Sequence, residues 1–119
     1  MSTMSTLIID ISVGQPVVGM NVRLERFDGT WIELVQQPTD ENGAIGPDIF
    51  GELEAGHYRL TAASGVWFAQ QQRESFYVHA QIEFKLSYKV QHYHLPLFIS
   101  PWAWSSYQEP SMQSRPVSH

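Results

Sequence analysis

Hydrophobic and polar residues alternate along most of the chain, which is typical of strands with one buried face. In residues 57–62, for example, Tyr58, Leu60 and Ala62 fall on one side and His57, Arg59 and Thr61 on the other. Glycine and proline separate such segments about every 8–12 residues, which indicates an all-β sandwich. The pattern predicts strands over residues 7–12, 20–27, 30–37, 48–53, 57–62, 76–86, 91–99 and 102–108, a loop over 38–47 and one short helix over 65–73.

The length of 119 residues corresponds to one domain. We expect that domain to cover residues 7–109, with residues 1–6 as a disordered N-terminus and the polar residues 110–119 as a disordered tail. The sequence contains no cysteine, which excludes disulfides, thiolate metal sites and thiol nucleophiles. It has no apolar stretch of about 20 residues and no basic, hydrophobic leader, so we expect a cytoplasmic protein without a membrane partner.

The charge composition narrows the possible partners. The net charge is -5 and the seven Lys and Arg residues are scattered, which argues against nucleic acid because phosphate backbones need clustered positive charge. Charged residues make up 16% of the chain and hydrophobic residues 43%, whereas charged residues average roughly 25% in soluble domains. This composition predicts that part of the surface is covered, most simply by other copies of the chain.

Residues 92–107 read His-Tyr-His-Leu-Pro-Leu-Phe-Ile-Ser-Pro-Trp-Ala-Trp-Ser-Ser-Tyr. This segment resembles the signature of the transthyretin and 5-hydroxyisourate hydrolase family, His-Tyr-His-Val-Pro-Leu-Leu-Leu-Ser-Pro followed by an aromatic residue, Gly-Tyr-Ser-Thr and Tyr-Arg-Gly-Ser. Residues 10–19, 22–24, 39–43, 56–60 and 67–68 are similar to other family segments in the same order, so the resemblance covers about residues 7–107.

The resemblance implies a transthyretin-like sandwich of two four-stranded sheets with one short helix. It also implies a homotetramer, a dimer of dimers, in which the first strand and the two C-terminal strands line a channel. Family enzymes open a lactam ring in this channel, which requires a base to activate water and donors to hold the developing oxyanion. No cofactor is implied.

Carried over residue by residue, the family site is only partly present. Leu7 stands where the family has a first-strand His, and Ala44 stands where it has an Arg. His94 matches the second His, and Tyr107 matches the terminal Tyr. The Arg of the Tyr-Arg-Gly-Ser end is replaced by Gln108, and Glu109 follows. Because each lost charge-assisted bond is worth roughly 1.5–3 kcal/mol, we expect weak hydroxyisourate hydrolysis.

The remaining side chains suit a different, flat cyclic ligand. His94 is the candidate general acid or base, with Tyr107 and Glu109 as further catalytic candidates. The predicted substrate-binding residues are Leu7, Ala44, His92, Phe98, Trp102, Trp104, Ser105 and Gln108. His92 and His94 share one strand face, but a zinc site ordinarily needs a third ligand, for which Glu109 is the nearest candidate, so no metal is predicted.

Some of these candidate site residues also have a simpler, structural interpretation. His94 fits a structural strand histidine as well, and Trp102 and Trp104 fit interface packing better than substrate stacking. Three functions remain: an enzyme acting on another small heterocycle, a non-catalytic binder of a small molecule, and a true 5-hydroxyisourate hydrolase of urate degradation. Retention of His94 favours the first, because a carrier does not need a base.

Overall fold

Two packed sheets form the fold in the computed structural model, which describes residues 1–108. The strands are β1 Thr3–Asp10, β2 Gln15–Pro16, β3 Asn21–Phe27, β4 Trp31–Pro38, β5 Ala44–Ile45, β6 Gly56–Ala62, β7 Ala80–Leu86, β8 His92–Ile99 and β9 Trp104–Ser106, and the helices are α1 Pro47–Phe50 and α2 Ser64–Gln70. One sheet has the order β2-β1-β8-β9 with β5 also paired to β1, and the other has the order β4-β3-β6-β7. The predicted all-β sandwich is confirmed, with one sheet of five strands rather than four.

The core lies between the sheets and is built from the alternating residues of both. Strand β1 alternates without exception between buried and half-buried residues. Burial of apolar side chains from both inner faces is the main force that holds such a sandwich together. The fully buried side chains include Met4, Ile8, Leu24, Tyr58, Leu60, Phe68, Leu97 and Ile99.

The first strand begins earlier than the sequence predicted. Residues 3–6 belong to β1 and pair in parallel with β8, although residues 1–6 were expected to be disordered. The buried hydroxyl of Ser2 donates to the carbonyl of Val90 at 2.6 Å and to that of Ser87 at 3.2 Å. These contacts satisfy polar groups that the repeated Met-Ser-Thr segment gave no reason to expect in the interior.

Other boundaries differ from the prediction for local reasons. The predicted strand at 48–53 is instead the short helix α1, with Pro47 in its first turn and Gly51 at its end with φ 73°. The predicted strand at 76–86 begins only at Ala80, because the amide of Phe76 donates to Pro101 and the carbonyl of Val78 accepts from Gly65. The last strand is shorter than predicted, and the loop at 38–47 contains β5.

Gly43 brings β5 against β1. Its φ is 76°, and a Cβ built there would lie 2.8 Å from the carbonyl oxygen of Ile8. The amide of Ile8 donates to the carbonyl of Gly43 at 2.8 Å. Only glycine accommodates both the positive φ and the close approach, and the result is that Ala44 pairs with Leu7.

Among the described residues, 1–108, neither helix has the length and apolar character needed to cross a membrane. The predicted tail at 110–119 lies outside the described part of the chain.

Candidate functional site on the outer face of the five-stranded sheet

The parallel register of β1 and β8 brings the two histidines beside the start of the chain. Thr3 is opposite His92, Ser5 is opposite His94, and Leu7 is opposite Pro96. Because side chains alternate along a strand, these residues share one face. Met4 and Ile8 point the other way, into the core. The outer face of the sheet is therefore the face that carries His92 and His94.

Hydroxyl groups connect the two imidazoles. The Oγ of Ser5 lies 2.8 Å from Nδ1 of His94 and 3.1 Å from Nε2 of His92. Nδ1 of His92 lies 2.7 Å from Oγ1 of Thr3. All four side chains are half-buried. Among residues 1–108, His94 is thus held through one ring nitrogen, and no group of these residues bonds to its other nitrogen on the outer face.

Leu7 and Ala44 lie next to this cluster as partners across the β1–β5 pair. Leu7 is two residues beyond Ser5 on the same face of β1. Neither side chain can exchange a proton or donate a hydrogen bond. Leu7 and Ala44 therefore lie on the same face as His94. At these two positions the resemblance implies a second His and an Arg, but the face is apolar there.

Aromatic residues extend the face beyond Leu7. Phe98 is half-buried and pairs with Ser105 of β9. The ring of Tyr107 stacks on Phe98 at 6.2 Å between centroids and 11° between planes. The predicted residues Phe98, Ser105 and Tyr107 are therefore brought together at the β9 end of the face, with the Tyr107 side chain 53% exposed.

Three of the predicted residues lie elsewhere. Trp104 pairs with Ile99 and packs against the core, so it faces the interior rather than the outer face, because the register of β9 puts odd and even positions on opposite sides. Trp102 precedes β9 and its ring lies near Phe76, with centroids 6.4 Å apart. Gln108 lines a cleft of about 150 Å³ between the edges of the two sheets.

Glu109, the last predicted catalytic candidate, lies outside the described residues. The described part of the chain contains no group of three or more His, Cys, Asp or Glu side chains arranged to hold a metal ion. His92 and His94 share one face, and the hydroxyl of Ser5 lies between them.

The outer face of β1, β5, β8 and β9 carries no Lys, Arg, Asp or Glu side chain in residues 1–108. The nearest carboxylate along β1 is Asp10, which points inward and is 1% exposed. Burial raises the pKa of Asp10, but hydrogen bonds from Ser12 and from Arg73, at 3.0 Å, outweigh burial and lower the pKa below its ordinary range. Asp10 thereby anchors the segment after α2 to β1 and is a structural group.

The sequence reasoning missed Ser5 and Thr3. Both fall within residues 1–6, which lack the β-branched apolar run that marked residues 7–12 as a strand. The available signal was alternation: Ser2, Met4 and Thr6 are buried, whereas Thr3 and Ser5 are on the outer face. That signal is weak because Ser and Thr occupy both faces.

The comparisons with known proteins agree with this architecture. The model of the HIUase/Transthyretin family matches residues 4–109. The chain belongs to the HIUase/transthyretin family. This match also includes three residues that the sequence analysis had placed in a disordered N-terminus.

Solved and curated relatives give the same result. The structure of Klebsiella pneumoniae 5-hydroxyisourate hydrolase aligns with a TM-score of 0.83 and 43% identity, covering 92% of this chain and all of that one. The 5-hydroxyisourate hydrolase of Caulobacter vibrioides is 34% identical over 113 residues, which are 91% of this chain and 98% of that protein. Sea bream transthyretin in complex with thyroxine has a TM-score of 0.86 at 23% identity and shares the fold.

Proposed function

We propose that this member of the HIUase/transthyretin family hydrolyses a small cyclic amide on the outer face of the five-stranded sheet, with His94 as the general acid and base. One observation carries this proposal. His94 sits on that face with Nδ1 held by Ser5 at 2.8 Å. An imidazole fixed through one nitrogen and open at the other is the arrangement that a general base requires.

The proposed reaction uses the imidazole of His94 as both base and acid, because the face carries no Lys, Arg, Asp or Glu side chain in residues 1–108. His94 takes a proton from a water molecule, and the oxygen of that water attacks the ring carbonyl carbon. The carbon–nitrogen bond then breaks, and His94 returns the proton to the leaving nitrogen. The hydroxyl of Tyr107 is the proposed donor to the developing oxyanion, Ser105 orients the substrate, and Phe98 supplies an apolar wall.

The substrate is proposed to differ from that of the hydrolase relatives. Leu7 and Ala44 remove a proton-exchanging group and a cation from the face. A face without fixed charge favours a neutral ring over an anionic one, because an anion needs compensating donors when it leaves water. We therefore expect slow opening of 5-hydroxyisourate and faster opening of a less charged ring.

True 5-hydroxyisourate hydrolysis is the second candidate. The observation in its favour is the 43% identity to the Klebsiella pneumoniae enzyme over 92% of this chain. The two candidates differ in one measurable property, the rate on 5-hydroxyisourate relative to neutral cyclic amides.

A tetramer is part of the proposal. The outer face carries half-buried Leu7 and Phe98 and exposed Tyr107. Apolar surface of this kind is ordinarily covered by a partner. We propose that another copy of the chain covers it and turns the face into a channel, and light scattering after size-exclusion chromatography measures this directly.

The deciding experiment compares the wild-type protein, His94→Ala and His57→Ala on 5-hydroxyisourate, hydantoin and dihydrouracil, with ring opening followed by ultraviolet absorbance. His57 is a matched control because it lies on the other sheet and bonds to Glu83. We expect turnover in the wild type and His57→Ala and its loss in His94→Ala. Wild-type rates in His94→Ala would exclude His94 as the base, and a rate on 5-hydroxyisourate equal to that of the hydrolase relatives would favour the second candidate.

A further inference from the structure

The hydroxyl and imidazole groups of the site form a continuous chain of hydrogen bonds that ends on a backbone carbonyl. The Oγ1 of Thr3 lies 2.7 Å from Nδ1 of His92 and makes a long contact of 3.4 Å to the carbonyl oxygen of Gln91. The chain continues from Nε2 of His92 to Ser5 and from Ser5 to Nδ1 of His94. A carbonyl oxygen can only accept, so this end of the chain has a fixed polarity.

The direction of each hydrogen bond fixes the direction of the next one. If Thr3 donates its proton to Gln91, its oxygen accepts from Nδ1–H of His92. A neutral imidazole carries one proton, so Nε2 of His92 then accepts from the hydroxyl of Ser5. The oxygen of Ser5 in turn accepts from Nδ1–H of His94. The opposite direction leaves the contact to Gln91 unmade, so it contains one hydrogen bond fewer.

We propose that Thr3, His92 and Ser5 are positioning residues that hold neutral His94 in the Nδ1–H tautomer, with a free lone pair on Nε2. This inference rests on the proposed function, since it assigns the nitrogen of His94 that would take the proton from water. It also explains why a serine and a threonine occupy outer positions of β1 opposite the two histidines. None of the three residues needs to contact the substrate.

The tautomer can be measured without any substrate. Nitrogen-15 and proton correlation spectra of the histidine rings distinguish Nδ1–H from Nε2–H in alkaline buffer, in which free histidine is neutral. We expect the wild-type protein to show the proton of His94 on Nδ1. We expect Ser5→Ala to lose this preference and Ser5→Thr, which keeps the hydroxyl, to retain it. Thr3→Val is expected to weaken it through His92.

Activity provides a second readout that a purely structural role would not produce. On a substrate that the wild type hydrolyses, Ser5→Ala should lower kcat about tenfold or more and leave KM nearly unchanged, as expected for a base in the wrong tautomer. Ser5→Thr should restore kcat. Ser75→Ala is the matched control, because Ser75 is a half-buried serine outside the site whose hydroxyl bonds only to the carbonyl of Tyr77 among the described residues.

The outcomes separate this inference from the proposed function. A wild-type spectrum with the proton of His94 on Nε2 overturns the inference, and this result does not depend on whether any variant folds. An Nδ1 proton that is lost in Ser5→Ala and kept in Ser5→Thr supports it, even if no tested ring is opened. A turnover that depends on His94 but is unchanged in Ser5→Ala overturns the positioning role while the proposed function stands.

Discussion

On the outer face of the four-stranded sheet, charged side chains pair with one another, whereas the outer face of the five-stranded sheet has hydroxyls, imidazoles and apolar groups. Glu25 of β3 accepts from Nε of Arg59 at 2.8 Å and lies 3.6 Å from Nε of Arg23. The guanidinium of Arg59 also lies over the ring of Trp31, 4.2 Å from its centroid. Glu25 is therefore the shared partner of two arginines, and Arg59 makes the hydrogen bond to it.

The histidines show the same contrast. His57 bonds through Nε2 to the carboxylate of Glu83 at 2.9 Å and packs against the rings of Phe27 and Trp31. His94 bonds through Nδ1 to a neutral hydroxyl. A histidine held by a carboxylate on a charged surface serves pairing between strands. A histidine held by a hydroxyl next to an apolar surface has no charged partner within residues 1–108, and this difference in partner and surroundings selects His94 as the candidate base.

The largest expected effect comes from removing each of these two histidines in turn. We expect His94→Ala to lower the turnover of a hydrolysed substrate by at least about a hundredfold, the range of general acid–base catalysis. The free energy of unfolding should change by less than about 1 kcal/mol, because His94 is half-buried and bonded to one hydroxyl. His57→Ala should leave turnover unchanged. Kinetics and urea denaturation measure both, and a catalytic loss in His57→Ala would remove the distinction between the faces.

The second prediction restores to the outer face the groups that the resemblance implies. Leu7→His combined with Ala44→Arg should raise the rate of 5-hydroxyisourate opening by about a hundredfold or more, because two charge-assisted interactions of roughly 1.5–3 kcal/mol each become available.

The control for this change places the same groups on the other sheet. Leu34→His combined with Gln36→Arg adds a histidine and an arginine to exposed positions of β4 and should leave the rate unchanged. An equal gain in both double variants would mean that added positive charge anywhere on the chain attracts the substrate.

The third prediction concerns the charged face. Arg59→Ala should lower the free energy of unfolding by about 2 kcal/mol, because it leaves the carboxylate of buried Glu25 without its closest donor. Turnover should stay unchanged. Arg23→Ala should have a smaller effect, since its contact with Glu25 is longer and its side chain is 40% exposed. Equal losses in the two variants would contradict the assignment of Arg59 as the main partner.

The smallest effect is the pH dependence of stability. The hydrogen bond from Arg59, aided by the nearby charges, holds the pKa of Glu25 below its ordinary value, although burial opposes this. A carboxyl group with a lowered folded pKa contributes its full stabilisation above its ordinary pKa, about 4.3 for Glu, and loses it as the pH falls through the folded value. The free energy of unfolding should therefore decrease below about pH 4.

Two variants separate the contributions of Glu25 and Asp10 to this pH dependence. Glu25→Gln should reduce the slope of unfolding free energy against pH in this window, and Asp10→Asn should do the same, since its pKa is also lowered. Thermal melts from pH 2 to pH 7 measure the slopes. An unchanged slope in Glu25→Gln would show that the Glu25 pair does not contribute to acid unfolding.

The sandwich and the single longer helix were predictable because alternation and turn residues are local properties. Tyr58, Leu60 and Ala62 show the period of two directly and are buried as predicted. The helix begins one residue before its predicted start and ends at Gln70, three residues before its predicted end. Pro47 and Gly51 also bracket α1 in the sequence, but the apolar residues between them led us to predict a strand.

The face of each C-terminal tryptophan was not predictable in the same way. Trp104 was expected beside the ligand, but it packs on the core because β9 pairs with β8 in a register that places it opposite Ile99. A shift of one residue would have reversed this result. Strand spacing therefore indicates which residues share a face, and the partner strand decides which face is buried.

The sequence alone determined the β architecture, the family and the presence of His94 beside an apolar, aromatic C-terminal segment, because these follow from residue order and local periodicity. Only the tertiary structure decided that Thr3 and Ser5 lie opposite His92 and His94, almost ninety positions away along the chain. Parallel pairing between β1 and β8 joins segments that share no local signal. For that reason the hydrogen-bond chain of the site, unlike the fold, could not be predicted from the sequence.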